Sequence, residues 1–132
     1  MRKDTHQKVT FLAMSHSQRK TFVCPVDVTL TLIQGKWKPI ILWLLSTRRR
    51  RFSDFQAEIP QVTHKVLSQQ LRQLEVDGLI CRVTRDARGQ HMDYALTGFG
   101  RSLRPALNAL ANWGKAHHRA LGVEYGPSGE GT

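Results

Sequence analysis

The sequence predicts a mainly α protein with one small β-hairpin, an α+β arrangement in which the hairpin directly follows two helices joined by a tight turn. Three observations carry this. Apolar residues recur at three- and four-residue spacing through most of the chain, as they do on the buried stripe of a helix. Residues 79–85 are instead rich in branched side chains, Asp86-Ala-Arg-Gly-Gln90 has turn chemistry, and residues 91–96 form the returning strand. Between Ser53 and Gly78 a short helical pattern is stopped by Pro60 and resumes three residues later at Thr63.

The elements come in order. Residues 1–21 mix basic residues, His, Gln, Ser and Thr with few apolar ones and are expected to be a flexible tail, within which Met14 could open a shorter product. One domain, 22–119, comes next, since 132 residues suffice for a single core but not two. Pro25 suits the first turn of a helix running to Gln34, with Val26, Leu30 and Ile33 as its apolar face and Gly35 as its stop. Residues 36–46 are apolar almost all round and should form the central buried helix. A turn of arginines, 48–51, leads into a short helix at 53–59.

The next helix organises the rest. Leu67, Leu71 and Leu74 make its buried stripe, Thr63 is a good N-cap, and Gly78 can take the left-handed conformation that ends it. Its other face carries His64, Lys65, Ser68, Gln69 and Arg72, and no acid until Glu75 and Asp77 in the last turn. A short helix, a tight turn, a polar basic helix and a hairpin together make a winged helix-turn-helix. Thr97 is then expected to cap one long helix to about His118, with Leu103, Leu107, Leu110 and Trp113 along one side. Residues 120–132, rich in glycine, are expected to be a second flexible tail.

Charge points to a polyanionic partner. The chain holds 20 Lys and Arg against 10 Asp and Glu, a formal charge of +10, and the excess lies wholly before residue 105. No apolar run is long enough to span a bilayer, residues 1–22 do not form a secretory signal, and two distant cysteines make no disulfide framework. These features suit a cytoplasmic protein with reduced thiols and no membrane partner. The six histidines show no metal-ligand spacing, and no nucleophile constellation, paired acids or phosphate-binding glycine loop appears, so neither a cofactor nor an enzyme is expected.

On double-stranded DNA, Thr63, His64, Lys65, Ser68 and Gln69 would lie at the major groove. There Gln69 could pair with adenine and Lys65 with guanine or phosphate. Arg72 would contact phosphate or else solvate the helix beside Glu75. In the arginine turn, Arg48, Arg49 and Arg50 are the phosphate candidates, because four like charges repel unless an anion relieves them. Arg85 and Arg88 of the wing could meet the backbone or the minor groove. A long neutral helix with an apolar side, Leu103, Leu107, Leu110 and Trp113, implies burial against a second copy. Two recognition helices would then read a near-palindromic site. A non-specific architectural DNA-binding protein is the rival reading. A thiol enzyme built on Cys24 has only Asp27 nearby to support it.

Six motifs in register, Ile33-Gln-Gly-Lys-Trp-Lys38, Arg51-Phe-Ser-Asp-Phe55, Lys65-Val-Leu-Ser-Gln-Gln-Leu-Arg-Gln-Leu-Glu75, Asp77-Gly-Leu-Ile80, Tyr94-Ala-Leu-Thr97 and Trp113-Gly114, resemble the HxlR-type transcriptional regulators, winged-helix relatives of the MarR regulators. The resemblance runs from about Cys24 to His118. It implies a homodimeric DNA-binding regulator, most simply a repressor, that answers to a small molecule or an oxidant. It also matches Cys24 to the redox-sensing position of several members. A thiolate there would be favoured by the helix N-terminus and by Arg19 and Lys20. A quiet cysteine at the dimer interface is the other reading, with Cys81 a small core residue. A pocket among Trp37, Trp43 and Trp113 could hold an aromatic ligand instead. The wing departs from the family pattern by lacking prolines before its second strand.

Overall fold

The structure, a computed structural model, describes residues 21–126. The expected N-terminal tail, with Arg19, Lys20 and Met14, lies outside the described residues except for residue 21, as does the last part of the C-terminal one. Among the described residues, six helices and one hairpin occur in the order α1 (Pro25–Leu32), α2 (Trp37–Thr47), α3 (Phe52–Glu58), α4 (His64–Val76), β1 (Ile80–Thr84), β2 (Met92–Leu96), α5 (Gly98–Arg101) and α6 (Arg104–His117).

The apolar helix α2 is the one on which the others pack, touching α4, β2 and α6. Ile41, Leu42 and Leu45 from α2 meet Phe55 of α3 and Leu67, Leu71 and Leu74 of α4 in one core, closed by Leu79, Ile80, Leu96 and Leu107. The α4 stripe lies where its spacing predicts. Thr63 caps this helix, its Oγ1 accepting a hydrogen bond from the Val66 amide at 3.1 Å, and Gly78 ends it at φ +79°.

The hairpin is antiparallel, pairing Ile80 with Leu96, Arg82 with Tyr94 and Thr84 with Met92. A third segment joins it. The Arg50 amide donates to the Tyr94 carbonyl at 3.1 Å and the Tyr94 amide donates to the Arg50 carbonyl at 2.7 Å, tying the arginine turn to the wing's second strand.

Three expectations are corrected. The long helix from Thr97 is two helices. Thr97 caps only Gly98–Arg101, and the chain then turns at Ser102 and Leu103 before α6 begins with Pro105 in its first turn. In an unbroken helix Pro105 would lack the N–H owed to the carbonyl four residues earlier and its ring would clash there, whereas a first turn needs no such bond. Second, α1 turns Val26 and Leu30 outward, leaving them 62% and 57% exposed, and of the expected face Ile33 alone, at the C-cap, is in the core, with Leu32 packed against it. Third, residues 121–125 do not leave the domain. The Leu121 amide donates to the His117 carbonyl and the Val123 amide to that of His118, so the segment folds back over the end of α6.

Candidate nucleic-acid interface

The candidate surface is assembled from the arginine turn, α4 and the wing. Contacts of α4 with its neighbours bring these parts together. At its N-terminal end the His64 ring packs on Phe52, centroid to centroid at 4.7 Å, beside the turn that ends in Arg51. At its C-terminal end Glu75 accepts a hydrogen bond from Arg82 of β1 at 3.0 Å. One end of α4 therefore adjoins the arginines and the other the wing.

The side chains predicted for the groove are available. Thr63, His64, Lys65 and Arg72 are exposed, and Ser68 and Gln69 are half-buried. Arg72 does not pair with Glu75, whose partner is Arg82. Neither acid of the last turn stands free on the outer face. Asp77 is 2% exposed and one of its carboxylate oxygens has no hydrogen-bond partner among the described residues. The buried Lys38 faces it in charge: burial pushes the Lys38 ammonium below the usual lysine range, and the Asp77 carboxylate partly restores it. No sequence pattern signals this pair, because Lys38 lies in an apolar run and Asp77 just before a helix stop.

The arginine turn divides. Arg48 is exposed, its guanidinium 3.0 Å from Glu58 and 3.9 Å from Asp54, and Arg49 is exposed with no ion pair among the described residues. Arg50, expected to hold phosphate, is instead 7% exposed. Its Nε donates to Glu58 at 2.7 Å, and its Nη1 donates to Thr47 Oγ1 at 2.9 Å and to the carbonyls of Leu44 and Arg48. With Nε and Nη1 engaged inside the domain and the side chain buried, Arg50 is turned toward the fold and away from a surface phosphate. Arg51 caps α3 together with Asp54, whose carboxylate accepts the Arg51 amide at 2.8 Å. That bond, ahead of the arginine charges, holds the Asp54 carboxyl below its ordinary range.

In the wing, Arg88 is exposed and Arg85 lies 3.6 Å from Asp93. Asp86 shapes the tip without proline. It accepts the Gln90 amide at 3.0 Å and contacts His91 Nδ1 at 2.7 Å, and the bond to His91 is the main cause of its lowered carboxyl pKa. Gly89 completes the turn at φ +71°.

The residues expected at a dimer interface also divide. Leu107 is 3% exposed and belongs to the core, with Leu103 packed against it, because the stripe's inner edge faces α2. Leu110 and Trp113 are 62% and 58% exposed. Cys24 is exposed at the N-cap of α1, and Cys81 is only half-buried, on β1 opposite Ala95. Among the described residues, no helix is long and apolar enough to cross a membrane.

A capped, basic second helix, a short helix before it and an antiparallel hairpin after it define the protein as a winged helix-turn-helix of the DNA-binding kind. The chain belongs to the family described as HxlR-like helix-turn-helix, whose model matches residues 32–121. It is 40% identical over 94 residues to the HTH-type transcriptional regulator YdeP of Bacillus subtilis (strain 168), an alignment covering 71% of this chain and 73% of YdeP. Among solved structures it is similar to the redox regulator HypR in its reduced form, with a TM-score of 0.67 and 36% identity over 74% of this chain and 97% of HypR. A MarR-family protein from Porphyromonas gingivalis W83 matches with a TM-score of 0.63 and 26% identity, over 73% of this chain and 94% of that one. The protein is thus a helix-turn-helix transcriptional regulator that binds DNA, and not an enzyme.

Proposed function

We propose that the protein is a homodimeric repressor, acting in the cytoplasm, that reads a near-palindromic operator through α4. The observation that carries this reading is the outer face of α4: exposed or half-buried Thr63, His64, Lys65, Ser68 and Gln69, with both nearby acids tied up or buried. Gln69 and Lys65 have the chemistry to read base edges; Arg48, Arg49 and Arg72 hold phosphates, and Arg85 and Arg88 of the wing reach the flanking backbone. The exposed Val26, Leu30, Leu110 and Trp113 supply the apolar surface for a second copy. The test is binding to DNA from the protein's own gene neighbourhood against a scrambled duplex of equal length at one salt concentration. A preference of about a thousandfold is expected for a sequence reader. Equal affinity for both would favour an architectural protein.

The regulator's signal has a thiol reading. Cys24 is exposed at the start of α1, and HypR, similar over most of this chain, is a redox regulator. A disulfide or adduct at Cys24 would move α1 and with it the spacing of the two recognition helices. Replacing Cys24 by Ser is expected to leave DNA affinity within about twofold and to abolish release by diamide. A Ser variant still released by the oxidant would remove Cys24 from the mechanism.

A further inference from the structure

Two opposite charges are buried in this fold, one on α2 and one at the end of the recognition helix. Lys38, on α2, is 8% exposed, and Asp77, at the C-cap of α4, is 2% exposed. We propose that they are positioning residues for DNA reading: a buried pair that touches no DNA but fixes the angle at which α4 is held on α2, and with it the discrimination between operator and other sequences. The inference rests on the proposed reading of an operator through α4.

Stability does not account for the pair. Taking either ion out of water is unfavourable, and replacing a buried ion pair by apolar residues of similar volume is often neutral or stabilising. The position adds to the penalty. Asp77 stands at the negative end of the α4 dipole, where a cation would be preferred. One of its carboxylate oxygens has no hydrogen-bond partner among the described residues. Burial depresses the Lys38 ammonium, and the Asp77 charge only partly restores it. Among the described residues, the other two buried polar side chains are hydrogen-bonded, Arg50 to Glu58 and His118 to the Val123 carbonyl.

Orientation does account for it. The rest of the core shared by these two helices is leucine and isoleucine: Ile41, Leu42 and Leu45 on α2, Leu67, Leu71 and Leu74 on α4. Apolar contact has no preferred direction, so such a surface permits small slides and tilts. A pair of opposite charges in a low-dielectric interior resists them, because its attraction falls as the charges separate. The same end of α4 is held a second time, by Thr97 Oγ1, which donates to the Gly78 carbonyl at 2.6 Å. The reading residues lie toward the opposite end. Lys65 is twelve residues from Asp77, roughly 18 Å along the helix axis. A tilt of about 5° at the held end moves Lys65 by about 1.5 Å, more than the spread over which a hydrogen bond to a base edge persists.

The test compares the parent with two variants. In Lys38→Met with Asp77→Leu both charges go and the volume is nearly kept; Asp77→Asn keeps the shape of the site and removes one charge. Affinity of the full chain is measured for DNA from the protein's own gene neighbourhood and for a scrambled duplex at one salt concentration, and stability by urea unfolding. The double variant is expected to unfold at the parent's urea concentration or above. It should bind scrambled DNA within about twofold of the parent, yet lose at least about tenfold of the operator preference. Asp77→Asn should lose operator preference to a similar extent, and it carries the test if the double variant folds poorly. A role in stability alone predicts the opposite pattern, a lower urea midpoint with discrimination intact. A folded variant that keeps the parent's preference within about twofold overturns the proposal, and so does one that loses affinity for both duplexes alike. A parent that discriminates, beside variants that do so equally, leaves the regulator reading standing. A parent that binds both duplexes equally removes that reading, and this inference with it.

Discussion

Adjacent arginines in one short turn have different roles here, decided by the partners each can reach. Arg50 lies within reach of Glu58, Thr47 and two carbonyls and is enclosed by them, while Arg49 faces solvent. Replacing Arg50 by Met is expected to lower unfolding free energy by about 2–3 kcal/mol in urea titrations, because Glu58 and the carbonyls lose a partly buried donor. Arg49→Ala should leave stability unchanged, weaken binding to every DNA sequence alike and reduce the salt slope by about one. Gln69→Ala should act differently, removing about 1–3 kcal/mol of discrimination at one base position. Competition binding over a series of salt concentrations separates the two. If Gln69→Ala weakened all sequences equally, Gln69 would be a positioning residue and not a reader. The sequence could not separate Arg50 from its neighbours, since the distinction comes from Glu58 and from the Tyr94 strand 44 residues away, and neither is visible in a local charge pattern.

Among the elements, α4 was the most legible because its signals are local: a hydroxyl cap, a leucine at each inward position and a glycine at the stop. The segment after β2 was the least legible. Thr97 does cap a helix, but two contacts from outside that helix decide its placement. Thr97 Oγ1 accepts the Gly100 amide at 2.9 Å and donates to the Gly78 carbonyl at 2.6 Å, which pins the start of α5 to the end of α4. Gly100 comes so close to the chain that a β-carbon would lie 2.0 Å from the Leu79 carbonyl oxygen. Likewise the stripe Leu103, Leu107, Leu110 and Trp113 is apolar along its length, so spacing alone cannot say which edge turns inward; Trp43 and its neighbours on α2 decide that. Two glycines of the same region should therefore respond oppositely to alanine. Gly100→Ala must push β1 and α5 apart and is expected to destabilise by about 3 kcal/mol or more. Gly114→Ala meets no atom and should stabilise by up to about 1 kcal/mol through helix propensity. Thermal melts of the two variants check both signs, and a tolerated Gly100→Ala would mean that the α5 approach is looser than its geometry.

For the whole molecule, the distribution of charge and apolar surface matters more than any single contact. Basic residues concentrate before residue 105, while residues 105–132 hold two basic and two acidic residues. Four of the apolar side chains left in water, Val26 and Leu30 on α1 and Leu110 and Trp113 on α6, lie on helices that supply none of the proposed DNA contacts. This arrangement suits a protein that joins a second copy through one set of helices and meets DNA through another. Affinity for a two-half-site operator then depends on linkage, because the second recognition helix binds at a high effective concentration once the first is seated. Leu30→Asp with Trp113→Asp tests this at two positions outside the core. Each change costs only a few tenths of a kcal/mol in an exposed helix, so the fold should survive. The double variant is expected to sediment as a monomer, to lose operator affinity by about a hundredfold or more, and to show about half the parent's salt slope, since half the phosphates are engaged. Unchanged sedimentation would place the interface elsewhere on the surface. A monomer that kept the parent's operator affinity would mean that one recognition helix and its wing are sufficient to read the site.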